Sequence, residues 1–340
     1  MDKTKLYKYY NIGIQSVIII AAIILLYFEL SKISIFEYQH LLSNYFQDPK
    51  FLGLFAIVVL LMPINWSIEA AKWRFIVSSK EKISFPLALK AIFAGASVSA
   101  LSPNRVGDFL GRVFVLKKTS FLQGTFITLI GSYAQTLISI VIGFLAMLFL
   151  AFHRSDWDVS EMYIIYTIAG LFIAISVFLY YKISVLSRIV PKKWKRIYGY
   201  IQVLSTYRFP ELSIILLFSL FRYFVFSTQF VIIFWAVGIH IPVFHLFVLV
   251  STIFFINMFR PSIALIEFVI RGVVSVSVMY EYYEYFLHQS FDSKSEVVIA
   301  STLIWFINII IPAIIGLFFI KDMEFFKNKK NGTNQSDEIQ

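Results

Sequence analysis

Cysteine is absent from all 340 residues, which excludes disulfides, thiolate metal sites and a thiol nucleophile. Charge is scarce as well. Only 15% of the residues are charged against 59% hydrophobic, and mean hydropathy is +0.78, whereas soluble domains carry about a quarter charged residues. His153, His240 and His245 share no metal-ligand spacing, so no metal and no cofactor is expected. No nucleotide-binding motif occurs either.

Long apolar runs fill the chain instead. Several reach the roughly 20 residues that span a bilayer as helix, beginning with a run that contains "SVIIIAAIILLYF" at 16–28. No small-residue cleavage site follows it, so it is read as an uncleaved first span rather than a signal peptide. The runs predict helices at about 11–30, 51–76, 121–151, 161–181, 210–237 and 296–320. Two further apolar regions, 83–119 and 242–280, are each broken in the middle by proline beside charge, at "LSPNR" and "MFRPS".

Basic residues in short loops set the orientation. The stretch 182–208 holds Lys182, Arg188, Lys192, Lys193, Lys195, Arg196 and Arg208 without one acid, and is assigned to the cytoplasm. The loops 153–161 and 281–296 are acidic and fit the outside. Threading the chain through these constraints makes 83–119 enter and leave from the cytoplasmic side. Region 242–280 then enters and leaves from the outer side. The expectation is an all-α polytopic membrane protein with about six spanning helices, two oppositely oriented re-entrant helical hairpins and both termini cytoplasmic. That is an inverted repeat, with halves at about 11–151 and 161–320 inside a membrane domain of 1–325. A polar cytoplasmic tail follows at 326–340, in which the Asn331 sequon is incidental.

The two broken regions carry similar local sequence. The first reads Pro103, Asp108, Arg112 and the second Pro261, Glu267, Arg271. Ser102 and Pro103 suit the start of a helix, and Arg105, Asp108 and Arg112 then share its face. Gly107 and Gly111 offer a flat surface for a neighbouring helix. An ionised side chain near the bilayer centre costs about 2.5–3.5 kcal/mol on insertion scales. The carboxylates are therefore expected to pair with arginines.

Arg105, Arg112, Arg222, Arg260 and Arg271 outnumber Asp108 and Glu267, and helix amino ends add positive potential. The expected ligand is an anion, phosphate above all, with Gln229 on the face of Arg222. Arg222 either reaches that ligand or neutralises Glu267. Glu69 and Lys72 are read as a structural i,i+3 pair, and Gln135, Asn257 and Asn308 as ties between helices.

"SPNRVGDFLGRVFVLKK", with "NWSIEAAKWRF" before it and "RPSIALIEFVIRG" after it, resembles the lysylphosphatidylglycerol synthase transmembrane region, a flippase-like domain, over about residues 10–320. That family usually has Glu where this chain has Asp108. The resemblance implies a lipid-translocating part, and about twenty residues after the last helix leave no room for the aminoacyl transferase domain of the full synthases. The function expected is a flippase or transporter of an anionic phospholipid or lipid-linked precursor in the cell membrane, not an enzyme. An intramembrane enzyme acting on a lipid phosphate and a scaffold for a glycosyltransferase are the alternatives. The partners expected are that lipid, a second copy of the chain or a membrane enzyme, and no nucleic acid.

Overall fold

A computed structural model describes residues 42–100, 107–152, 159–183, 202–259 and 264–320, with isolated positions between 10 and 24. At 264–269 it describes the backbone alone. Every regular element among the described residues is a helix, joined by short turns, and none is a strand. The expected first span at 11–30, the hairpin tips with Arg105 and Arg260, and the polar tail fall largely or wholly outside them.

Helix α1 runs Pro49–Val77, capped by Asp48, whose side chain accepts from the Lys50 amide. The first broken region is a pair, α2 (Phe85–Ala100) and α3 (Gly107–Val113). Helix α4 spans Phe121–Phe152 and α5 spans Val159–Tyr181. The second half continues with α6 (Phe209–Ala236), α7 (Val243–Met258) and α8 (Ala264–Glu281). Helix α9 (Lys294–Trp305) passes through a π-helical turn, Phe306–Ile310, into α10 (Ile311–Leu317). The expected single helix at 296–320 is thus interrupted where Pro312, at the start of α10, lacks an N–H to continue the ladder.

Among the described residues, five stretches are long and apolar enough to cross a membrane: Pro49–Val77, Phe121–Phe152, Tyr163–Tyr181, Phe209–Ala236 and Lys294–Leu317. Helix α2 has 16 residues and α3 has 7, about 24 and 10 Å at 1.5 Å per residue, each short of a hydrocarbon core of about 30 Å.

The packing returns to itself when the halves are exchanged. Helices α1 and α6 pack on each other, α2 packs on α10, and α7 packs on α4. The contacts α1–α2, α2–α3, α3–α4 and α1–α4 recur as α6–α7, α7–α8, α8–α9 and α6–α9.

Glycines mark the equivalent crossings. A Cβ on Gly316 would meet Phe93 and Ser97 of α2, and one on Gly143 would meet Ser251 and Phe255 of α7. Gly143 lies 22 residues past Phe121, and Gly316 lies 22 past Lys294. Phe93 and Ser251 each lie eight residues past the first residue of their helix, 85 and 243. Small residues at these points let helix backbones touch.

Helices α1 and α6 run antiparallel. Tyr207 donates to Ile76, Lys72 to Ser219, Gln229 to Val58 and Tyr45 to Val237, so one number falls as the other rises. Equivalent helices lying side by side in opposite directions are the arrangement an inverted-topology repeat produces.

Candidate functional site

Glu69 is the centre of the charged interior. It sits on the α1 face that packs into the protein, with Asn65, Trp66, Lys72 and Trp73, and is 3% exposed. Lys72, one turn along the same helix, places Nζ 2.7 Å from Glu69 Oε2. Arg112 of α3 donates from one terminal nitrogen to Glu69 Oε1 at 2.7 Å. Arg222, from the middle of α6, approaches Oε2 at 3.2 Å. One carboxylate gathers cations from three helices.

Arg112 is shared. Its Nε donates to Asp108 Oδ1 at 2.8 Å and its other terminal nitrogen to Asp108 Oδ2, a two-pronged bond within one turn of α3. The hairpin brings this pair to α1 because Gly111 lies on Gly95 of α2, where a Cβ would come 2.4 Å from the Gly95 Cα. Any larger residue would lift α3 and withdraw the guanidinium from Glu69. Lys72 also donates to the Gly131 carbonyl of α4 at 3.4 Å and to Ser219 Oγ of α6 at 3.5 Å. Among the described residues, Lys72, Arg112 and Arg222 face Glu69 and Asp108, a formal surplus of one positive charge in the described cluster.

Two members open outward. The Arg222 side chain is 24% exposed and that of Asp108 23%, whereas Lys72, Glu69 and Arg112 are enclosed. Arg222 also lies over the Trp66 ring, 5.8 Å from its centroid.

The structure therefore joins Glu69, Lys72, Asp108, Arg112 and Arg222. Glu69 and Lys72 do pair at i,i+3, but Glu69 is in addition the meeting point of both arginines. Arg222 takes Glu69 as its carboxylate. Gln229 is fully buried, with its amide donating to the Val58 carbonyl at 2.8 Å, away from this cluster. Arg271 lies on α8, as does the backbone of Glu267; Arg105 and Arg260 are outside the described residues.

Of the expected ties, Gln135 donates to the Ser219 carbonyl across helices, and Asn308 accepts from Asn65. Asn257 instead donates back to Ile253 of its own helix. The role of Trp66 had no sequence signal beyond its place beside Glu69 in "NWSIEAAKWRF".

Five apolar spans among the described residues and a charged centre between them define a multi-pass α-helical membrane protein. The chain belongs to the family described as lysylphosphatidylglycerol synthase TM region, which matches residues 14–316. That membership points to a membrane function concerned with lipid. No curated protein and no solved structure matches the chain.

Proposed function

We propose that the protein carries an anionic phospholipid or lipid-linked precursor across the cell membrane, holding its headgroup phosphate at the cationic cluster midway through the bilayer. The observation that carries this reading is the excess of cations around Glu69, placed where the two antiparallel halves meet and left partly open at Arg222. A surplus buried charge is costly, and a phosphate offsets it with charge-assisted hydrogen bonds. The short pairs α2–α3 and α7–α8 are taken as hairpins re-entering from opposite faces. Such a pair lets a central site be reached from either side in turn.

Carriage is favoured over catalysis because both described carboxylates of the cluster are held by arginine. A general base needs a carboxylate free to reach a reacting group. In this reading both termini are cytoplasmic.

The test is reconstitution into vesicles with a fluorescent anionic phospholipid, whose leaflet is read by an impermeant quencher. Wild-type protein accelerates its passage relative to empty vesicles, and Arg222→Gln slows that passage about tenfold or more, as expected for one lost charge-assisted bond. Passage no faster than in empty vesicles overturns the reading.

A further inference from the structure

Lys72 is 1% exposed and loosely held for an enclosed ammonium. Its Nζ stands 2.7 Å from Glu69 Oε2. Arg222 approaches the same oxygen, and among the described residues neither cation makes an aligned hydrogen bond to it. The other two contacts, to the Gly131 carbonyl at 3.4 Å and Ser219 Oγ at 3.5 Å, exceed the roughly 2.7–3.2 Å of a good N–H···O bond. Arg112, by contrast, makes three bonds to carboxylate oxygens. The charges that act on Lys72 among the described residues are Glu69 of its own helix, Arg112 of α3 and Arg222 of α6, while α2 and α4 add none. Asp108 stands behind Arg112.

Guanidinium groups keep their protons, whereas a buried lysine gives its proton up readily. Glu69 sits among three cations and Asp108 is bound on both oxygens, so both stay ionised. Lys72 is therefore the member of the described cluster whose charge can change. With Lys72 neutral, Arg112 and Arg222 balance Glu69 and Asp108, and the surplus positive charge disappears. The neutral amine also suits its neighbours. The Gly131 carbonyl still accepts an N–H, and the Ser219 hydroxyl can turn to donate to the free lone pair.

The repeat itself does not call for a cation here. Lys72 lies 23 residues past Pro49, and Ile232 lies 23 past Phe209 in the equivalent helix. Water has a place near Nζ as well. Gln135, one turn beyond Gly131 on α4, donates to the Ser219 carbonyl, and its buried Oε1 has no partner among the described residues. Such atoms in native proteins nearly always meet water or a ligand.

We infer that Lys72 couples the lipid to a proton: it is neutral while the site is empty and protonated as the anionic headgroup arrives. The amine takes its proton from water, the new ammonium offsets the phosphodiester charge, and no other group in the cluster changes. On release of the lipid the proton returns to water. One proton thus accompanies each singly charged headgroup, and a proton gradient across the membrane does work on the lipid. This rests on the lipid-carrier reading and adds to it a coupling ion and the residue that takes it.

The experiment adds phosphatidylglycerol, whose phosphodiester keeps its single charge throughout, to purified protein in weakly buffered detergent solution with a pH dye, from neutral to mildly alkaline pH. Binding that takes up a proton is favoured by acid. Wild-type protein is expected to take up about one proton per lipid bound, with affinity falling toward about tenfold per pH unit as pH rises. Lys72→Arg is always charged and Lys72→Gln always neutral. Both are expected to bind without proton uptake and with a flat pH profile, Lys72→Gln the more weakly, with melting in detergent as the check on folding.

Binding by the wild type without proton uptake overturns the inference, whether or not the variants fold. Uptake that persists in Lys72→Arg overturns it too, because a carboxylate is then taking the proton. Lipid passage in vesicles that is normal but indifferent to a proton gradient sinks this inference and leaves the carrier reading standing. Proton uptake on binding, lost in both variants, in a protein that moves no lipid supports Lys72 as the proton acceptor and sinks the carrier reading alone.

Discussion

Glu69 and Gln229 occupy the same position in two equivalent, antiparallel helices, 20 residues past Pro49 and 20 past Phe209 respectively. The carboxylate holds Lys72, Arg112 and Arg222, while the amide holds the Val58 carbonyl. The halves thus repeat in packing and differ in charge. One isosteric change, acid to amide, separates a cation-collecting centre from a neutral tie between helices.

Removing that carboxylate has a large expected cost. Glu69→Gln preserves size but strands enclosed Lys72 and leaves Arg112 with Asp108 only. Breaking a buried ion pair from one side costs about 3–5 kcal/mol. Thermal unfolding in detergent is expected to shift down strongly for Glu69→Gln and much less for Arg222→Gln, because the Arg222 side chain is 24% exposed. Equal shifts would mean that Glu69 is no hub.

The crossing glycines are expected to differ from lipid-facing ones. A Cβ on Gly316 would stand 1.8 Å from the Phe93 carbonyl oxygen, and one on Gly143 2.5 Å from the Phe255 Cβ; Gly170 has nothing within 4 Å. Gly316→Ala and Gly143→Ala must separate packed helices and lose about 1–3 kcal/mol. Gly170→Ala gains about 0.5–1 kcal/mol from its better helical propensity. Detergent melting curves of the three variants check the order.

Orientation is open to direct labelling because the chain has no cysteine background. Gln202 and His288 are both exposed. A thiol reagent that cannot cross the membrane is expected to modify Gln202→Cys only from the cytoplasmic side and His288→Cys only from the outside. Labelling of both from one side would contradict the threading.

Much of the fold is legible in the sequence because hydrocarbon imposes length and polarity directly. The spans at 51–76, 121–151, 161–181 and 210–237 come within a few residues of the helices, and the proline-broken regions are each two helices. The Asp108–Arg112 pair was legible from its i,i+4 spacing. Glu69 as a centre was not, since its partners Arg112 and Arg222 stand 43 and 153 residues away and Lys72 at i+3 already gave it a local explanation. Gln229 was misleading for a similar reason. Its seven-residue spacing from Arg222 puts both on one face of α6, but only the antiparallel α1 decides what each meets. Trp66 gains meaning only from Arg222 lying over it, a contact between helices that periodicity does not reveal.

The central claim is that the cluster of Lys72, Arg112 and Arg222 around Glu69 holds an anionic lipid, and native mass spectrometry of the purified protein addresses it most directly. Wild-type protein is predicted to retain a lipid that carries a phosphate and net negative charge, with occupancy falling about tenfold or more in Arg222→Gln while the fold persists. Retention of the same lipid at the same occupancy by Arg222→Gln, or retention of neutral and zwitterionic lipids alone by the wild type, would contradict it.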